Sequence, residues 1–287
     1  MTRSAITCFL FLLLIKSISV AQRPAEAVLE GYVREGYQLM QEERFEEALA
    51  KFTRVIESSG LQEPQDFHSL YFRAVCYFYT EKPEKAIGDI DLYVTRFSNS
   101  PQPFLLRATC YRQLEDADAQ LRDLNRALTK KPEDGGDFDP QIYRWRGGLL
   151  LDRQQYDSAM MDINRSLAIK KDPEGFSMKG FAQYNMGGYD SALASVNHAI
   201  ELDYSYASSY LYAASFCLQE EDFVKALTYA DLGLRVDDRN HRLWFYKGIA
   251  LVETGRIDLG CSALNKAFYN GIDDAGGYLS EYCYKID

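Results

Sequence analysis

The stretch Lys179-Gly180-Phe181-Ala182-Gln183-Tyr184-Asn185-Met186-Gly187-Gly188-Tyr189-Asp190-Ser191-Ala192 decides the fold. Gly180 has the bulky Phe176 four places before it and Ala192 twelve places after it. The same arrangement recurs along the chain at Gly36, Ala74, Ala108, Gly147, Ala214 and Gly248, with spacings of 38, 34, 39, 33, 34 and 34 through all seven positions. The bulky partners are Tyr32, Leu70, Phe104, Tyr143, Phe176, Tyr210 and Trp244. The positions twelve places on are Ala48, Ala86, Gln120, Ala159, Ala192, Ala226 and Gly260, six of them small. A side chain no larger than a methyl is needed where helix backbones approach closely, so two small positions per period describe two helices pressed together once per repeat. Self-similarity at this length predicts a stacked all-α array.

A second regularity has the same phase. One residue before each small position stand Glu35, Arg73, Arg107, Arg146, Lys179, Ala213 and Lys247, and sixteen residues later come Lys51, Asp89, Asp123, Asp162, Ser195, Tyr229 and Ala263. Four of these pairs are oppositely charged, the first with its signs swapped. Mutual contact across the helix pair would make such a swap tolerable. The alternative is two independently solvated faces. As surface ion pairs these would be partly exposed and worth under about 1 kcal/mol each.

The residues resemble the tetratricopeptide repeat, a helix-turn-helix of 34 residues with large, small, aromatic and Ala positions at fixed offsets. The best copies are Tyr143-Arg144-Trp145-Arg146-Gly147 with Tyr156-Asp157-Ser158-Ala159, and Lys179-Gly180 with Gly187-Gly188-Tyr189-Asp190-Ser191-Ala192. Departures are local: Pro83 and Ala117 replace the turn aromatic, Gln120 replaces the Ala, and Pro132 is the clearest closing proline. The resemblance implies a right-handed α-solenoid of about seven repeats, at 29–62, 67–100, 101–134, 140–172, 173–206, 207–240 and 241–273, with a capping helix over 274–287. Two junctions, from Ser58 to Asp66 and from Glu133 to Asp139, carry extra turn residues.

The first 21 residues form a separate object: Arg3, an apolar run from Ala5 to Ile15, then Ser19-Val20-Ala21. This predicts a secretory signal, with 22–28 a lead-in to the array; an apolar first capping helix is the alternative. An 11-residue run is too short to span a bilayer, so no membrane span is expected. The expected location is periplasmic or extracellular. Without those residues, which hold Arg3 and Lys16, the formal charge moves from −10 to −12, which argues against nucleic acid as a partner.

No recognisable catalytic motif appears. His68, His198 and His241 lie in different repeats, and there is no paired-histidine zinc helix, phosphate loop or nucleophile elbow. Asp134, Asp137 and Asp139 around Gly135-Gly136 lack the spacing of a calcium loop and read as a solvated acidic turn. Asn164-Arg165-Ser166 matches a glycosylation triplet but falls inside a helix with Ser166 at a packed position. No cofactor, no metal and no enzymatic activity are expected. Cys76, Cys110 and Cys217 read as buried small hydrophobes. Cys261 and Cys283 bracket the last repeat and the terminal helix, in a tail that resembles exported bacterial tetratricopeptide proteins. A disulfide between them is expected because an oxidising compartment permits it and that helix has a single neighbour to hold it.

In the family the first helices line a concave wall, with side chains three before, one after, and four and five after the small residue directed into it. Carried over, this implies a partner groove with Tyr71, Tyr79, Phe181, Tyr184 and Phe245 as apolar anchors and Arg112 and Arg144 as polar clamps. Helix packing is the alternative role for such aromatics. Two functions remain open. One is a non-catalytic scaffold of the envelope or secreted space, alone or within a complex, that binds a protein segment. The other is an exported carbohydrate-binding protein or enzyme using the aromatic ends of the groove.

Overall fold

A computed structural model describes residues 24–61, 63–130 and 136–284; the expected leader at 1–21, Pro132 and Asp134 lie outside the described residues. The chain divides into two compact units, Met1–Gly136 and Asp137–Asp287, at the junction expected to carry extra turn residues. The first unit contains α1 (Pro24–Gln41), α2 (Phe45–Ser59), α3 (Pro64–Tyr79), α4 (Pro83–Val94), α5 (Gln102–Gln113) and α6 (Ala117–Leu128). The second contains α7 (Pro140–Asp152), α8 (Tyr156–Ile169), α9 (Pro173–Asn185), α10 (Tyr189–Leu202), α11 (Ala207–Gln219), α12 (Phe223–Val236), α13 (His241–Glu253) and α14 (Ile257–Phe268). It ends in a one-turn α15 (Ala275–Tyr278) and a π-helical turn, Leu279–Cys283. Among the described residues there is no strand. Within each unit helices pack in consecutive pairs, and first helices lie beside one another, α9 against α11 and α11 against α13. This is a helix-turn-helix solenoid architecture.

The helices begin and end where local chemistry dictates. Pro64, Pro83, Pro140 and Pro173 open helices at a position where a missing N–H costs nothing. Asp116, Asp139, Asp172, Asp222 and Asn240 accept hydrogen bonds from first-turn amides. Each repeat then turns through one left-handed residue seven places after its small position: Glu43, Glu81, Glu115, Gln154, Gly187, Glu221 and Gly255, with φ between 57° and 84°. The following amide reaches five residues back, as Asp222 N to Cys217 O at 2.8 Å, which satisfies carbonyls the helix end would otherwise orphan.

The small residues face their own second helix. A Cβ added to Gly180 would stand 2.7 Å from Val196 Cγ1 and 2.9 Å from the Ala192 carbonyl oxygen. One added to Gly248 would meet Leu264 Cγ at 2.7 Å, whereas at Gly147 the nearest atom is Ile163 Cγ1 at 3.3 Å. The residue sixteen places on is in every repeat part of the buried core: Phe52, Ile90, Leu124, Ile163, Val196, Ala230 and Leu264.

All four charged pairs form. Arg73 grips Asp89 at 2.7 and 2.7 Å, Arg107 grips Asp123 at 2.6 and 2.8 Å, and Arg146 grips Asp162 at 2.7 and 2.7 Å, each through Nε and Nη2. The inverted pair joins Lys51 Nζ to Glu35 Oε2 at 2.6 Å. The expectation of partial exposure holds for Arg73 and Arg146, although their aspartates are buried, and needs correction for the central pair, because the Arg107 and Asp123 side chains keep only 7% and 2% of their accessible surface. Lys51 and Glu35 keep 34% and 58%. The arginine pairs lie beside the close backbone approach, where neighbouring repeats cover them; Arg107 also reaches Asp91 of the preceding repeat at 2.5 Å.

Two outcomes follow for urea unfolding followed by circular dichroism. Arg107→Met leaves the buried Asp123 carboxylate with Arg126 Nη1 at 3.4 Å in place of a two-donor grip and should cost roughly 3 kcal/mol, while Lys51→Met should cost under about 1 kcal/mol. Equal losses in the two variants would contradict the burial argument. Gly180→Ala should destabilise by about 1–3 kcal/mol despite its gain in helix propensity, and Gly147→Ala should cost less by about 1 kcal/mol or more. A Gly180→Ala chain as stable as the parent would show that the helix pair is looser than its 2.7 Å contact requires.

Candidate functional site

In the second unit, the first helices α9, α11 and α13 present a common stripe. Counted from the small residue, its members lie six and two places before and one and five after, the 3.6-residue repeat of one helix face. On α13 these are Arg242, Tyr246, Ile249 and Glu253; on α11, Tyr212, Ser215 and Gln219 continue it; on α9, Phe181 and Asn185 do, joined by Tyr184.

Two adjoining recesses open along this stripe. The larger, of about 510 Å³, is lined by Ser215, Leu218, Gln219, Glu221, Phe223, Tyr246, Ile249, Glu253 and Tyr278. The smaller, of about 220 Å³, is lined by Phe181, Tyr184, Asn185, Leu211, Tyr212, Ser215, Phe216, Gln219, Arg242 and Tyr246. Ser215, Gln219 and Tyr246 form the wall between them.

The aromatic side chains are held by one another and by hydrogen bonds. Tyr184 stacks on Phe216 with centroids 4.5 Å apart and planes within 5°. Its hydroxyl donates to Glu220 Oε1 at 3.1 Å, and burial followed by that carboxylate raises its pKa. Phe181 lies 5.6 Å from Tyr212, whose hydroxyl is likewise raised by burial. Arg242 Nε donates to the Tyr246 hydroxyl at 3.3 Å. Tyr278 meets Phe245 edge-on at 5.8 Å, and burial, then Glu253 and Glu281, raises its pKa.

Tyr278 comes from the terminal segment, which two devices hold. Ala275 and Leu279 are buried against Leu264, Ala267, Ile249 and Val252. Cys261 on α14 is bonded to Cys283, with Cα atoms 5.7 Å apart. Tyr284 also donates to Asn265 Oδ1 at 2.6 Å. Cys76, Cys110 and Cys217 are buried thiols, and burial pushes Cys76 and Cys110 up to about 12.

Of the seven residues expected to form a groove, Tyr71, Tyr79 and Arg112 belong to the first unit and Arg144, Phe181, Tyr184 and Phe245 to the second. Tyr79 stacks on Phe45 at 4.4 Å, Tyr71 leans on Tyr93 at 5.4 Å, and Arg112 is exposed near the end of α5. Phe181 and Tyr184 line the smaller recess. Phe245 does not serve as an open anchor: three places before the small residue, it turns toward the neighbouring helix and is 7% exposed. Arg144 is not a free clamp either. Its guanidinium donates to Asp172 at 2.7 Å, Ser166 at 3.1 Å and Gln141 at 2.6 Å, and the side chain keeps 7% of its surface.

Tyr246, Tyr212, Arg242 and Tyr278 line the recesses although the expected offsets omitted them. The aromatics two places before the small residue, Phe72, Trp145, Tyr212 and Tyr246, carried a signal for the first two. Among the described residues, no group of three or more His, Cys, Asp or Glu is arranged to hold a metal ion. None of the described helices is long and apolar enough to cross a membrane.

Comparison with known proteins places this geometry. Residues 33–101 match the tetratricopeptide repeat family model. Tetratricopeptide repeat protein 34 of Mus musculus is 31% identical over 157 residues, which cover 54% of this chain and 25% of that protein; the chain thus spans about a quarter of that relative's length. A tetratricopeptide repeat protein from Parabacteroides merdae superposes with a TM-score of 0.62 at 16% identity, covering 88% of this chain and 98% of the other. YrrB, described as a TPR protein with an unusual peptide-binding site, superposes with a TM-score of 0.57 at 19% identity, over 67% of this chain and 95% of its own.

The tether of the terminal segment can be measured. Cys283→Ser should lower stability by about 3 kcal/mol for a closed loop of this size and remove amide-exchange protection from 275–283 while α13 stays protected. Free-thiol labelling of both Cys261 and Cys283 in native protein made in an oxidising compartment would show that the bridge does not form.

Proposed function

We propose that this chain, a tetratricopeptide repeat protein, is a non-catalytic interaction scaffold that takes an extended or helical segment of another protein into the double recess on α9, α11 and α13. The observation that carries this reading is the run of aromatic walls from Tyr184 through Tyr212 and Tyr246 to Tyr278 along two adjoining cavities that meet at Tyr246. Aromatic and arginine side chains contribute most to an interface when water is excluded around them. The rings of the smaller recess are already packed against one another, Tyr184 stacked on Phe216 and Phe181 tilted against Tyr212, so binding orders few side chains. The likeness to YrrB, a peptide-binding protein of this fold, supports the same function. We place the scaffold outside the cytoplasm, in a periplasm or the extracellular space. The apolar run from Ala5 to Ile15 and the bonded Cys261–Cys283 pair support that location.

The test is selection of a displayed random peptide library on the full chain, followed by affinity measurement against variants. Tyr246→Asp, at the wall both recesses share, should weaken the selected peptides by about a hundredfold, and Tyr184→Ala by about tenfold. Arg112→Ala, in the first unit, should leave their affinity unchanged. Peptides insensitive to Tyr246→Asp, or retention of glycans with no peptide selected, would overturn the assignment, the latter in favour of a carbohydrate-binding protein.

A further inference from the structure

The two recesses differ in charge. Glu221 and Glu253 are the charged side chains that line the larger one, and among the described residues neither is in an ion pair. One more carboxylate bears on this side, Glu281, which lies near enough to Tyr282 to raise its pKa after the larger effect of Glu253, whereas Glu220 accepts from Tyr184 of the smaller recess. Arg242 lines the smaller recess, where its Nε is turned to the Tyr246 hydroxyl. The site therefore runs from a chamber lined by two unpaired carboxylates and aromatic walls to an aromatic chamber beside one guanidinium, with Glu220 engaged by Tyr184 at its edge.

We infer that the larger recess receives the side chain of a Lys or Arg on the partner segment, and that an apolar side chain of the same segment fills the smaller recess. This rests on the protein-binding reading above and specifies the chemistry of the partner. A cation seated in this recess would stand among the Tyr246 and Tyr278 rings and the Glu221 and Glu253 carboxylates that line it, a combination of cation–π attraction and charge pairing that favours a basic side chain. In the free chain Glu221 and Glu253 are exposed, so their fields are weakened by water. A partner that covers the recess removes that water and strengthens the pairing at the moment of binding. The net charge of −10 adds a long-range field of the same sign, which draws a basic segment toward the chain and repels an acidic one.

The same displayed peptides supply the experiment, restricted to those that Tyr246→Asp weakens. They should carry a Lys or Arg, and replacing it by Met should reduce affinity by about tenfold or more, as should the double variant Glu221→Gln/Glu253→Gln. Affinity should also fall as salt is added, because the site's carboxylates are exposed before binding. Glu253→Lys should reverse the preference, so that a peptide with Glu in place of its basic residue binds better than the parent peptide. Thermal unfolding of the Gln variants should match the parent chain, since both carboxylates are at the surface. Peptides that lose affinity with Tyr246→Asp but keep it with the double Gln variant would overturn the basic-partner assignment and leave the recess as the binding site. Selection of no Tyr246-dependent peptide would remove both.

Discussion

One contact sets the register of everything else: the small residue of each first helix against the residue sixteen places later on its partner. Where that small residue is Gly180 or Gly248 there is no room for even a methyl without a shift, so the two helix axes are pinned at their closest point. Seven residues beyond the pinned point the chain must reverse, and there it enters the left-handed region at Glu43, Glu81, Glu115, Gln154 and Glu221 as well as at Gly187 and Gly255. A side chain at such a position costs about 1 kcal/mol relative to glycine, which the backbone hydrogen bonds of the turn and the packing of the pair together outweigh. The repeat of the sequence is therefore the repeat of a backbone constraint, and the turn inherits its phase from the contact.

The arginine–aspartate pairs occupy the two positions next to that contact, which explains both their burial and their geometry. A charged pair taken out of water contributes little net stability unless its hydrogen bonds are complete, and the paired Nε and Nη2 donors on each carboxylate meet that demand. The gain from a buried pair lies in fixing register, since a slipped helix would leave a charge without its partner. Lys51 and Glu35 can carry swapped signs because that pair is solvated, so a mismatch there would be hydrated at little cost. Farther along, the theme changes: Ser195 turns to Gln183, and Lys247 pairs with Asp231 of the preceding repeat at 2.7 Å.

The positions that face inward were legible because packing leaves one solution per turn. Gly180 and Ala192 could be placed from spacing, since small size at a fixed separation marks a close approach of helices; opposite charge at a repeated separation pointed to the Arg146–Asp162 contact but left two solvated faces as the alternative. The outward face was less legible. A side chain three places before the small residue and one two places before it differ by about 100° around the helix, enough to send Phe245 into the neighbouring helix and Tyr246 into the recess. Arg144 misled for a related reason, because its partners Asp172, Ser166 and Gln141 lie at separations with no repeat-wide pattern. Tyr278 belongs to no repeat at all.

That last residue joins the fold to the site. A four-residue helix has no stability of its own, because the nucleating turn fixes more backbone than its hydrogen bonds repay. α15 persists through Ala275 and Leu279, buried at 0% and 1%, and through the Cys261–Cys283 bond beyond it. Tyr278 sits between these two restraints, where it closes the larger recess opposite Tyr246 and Glu253. The larger recess thus has one wall on the last full repeat and another on the tethered terminal segment. Its shape depends on the tether as much as on the array, and local opening of the terminal segment would change the recess without unfolding the helix pairs beneath it.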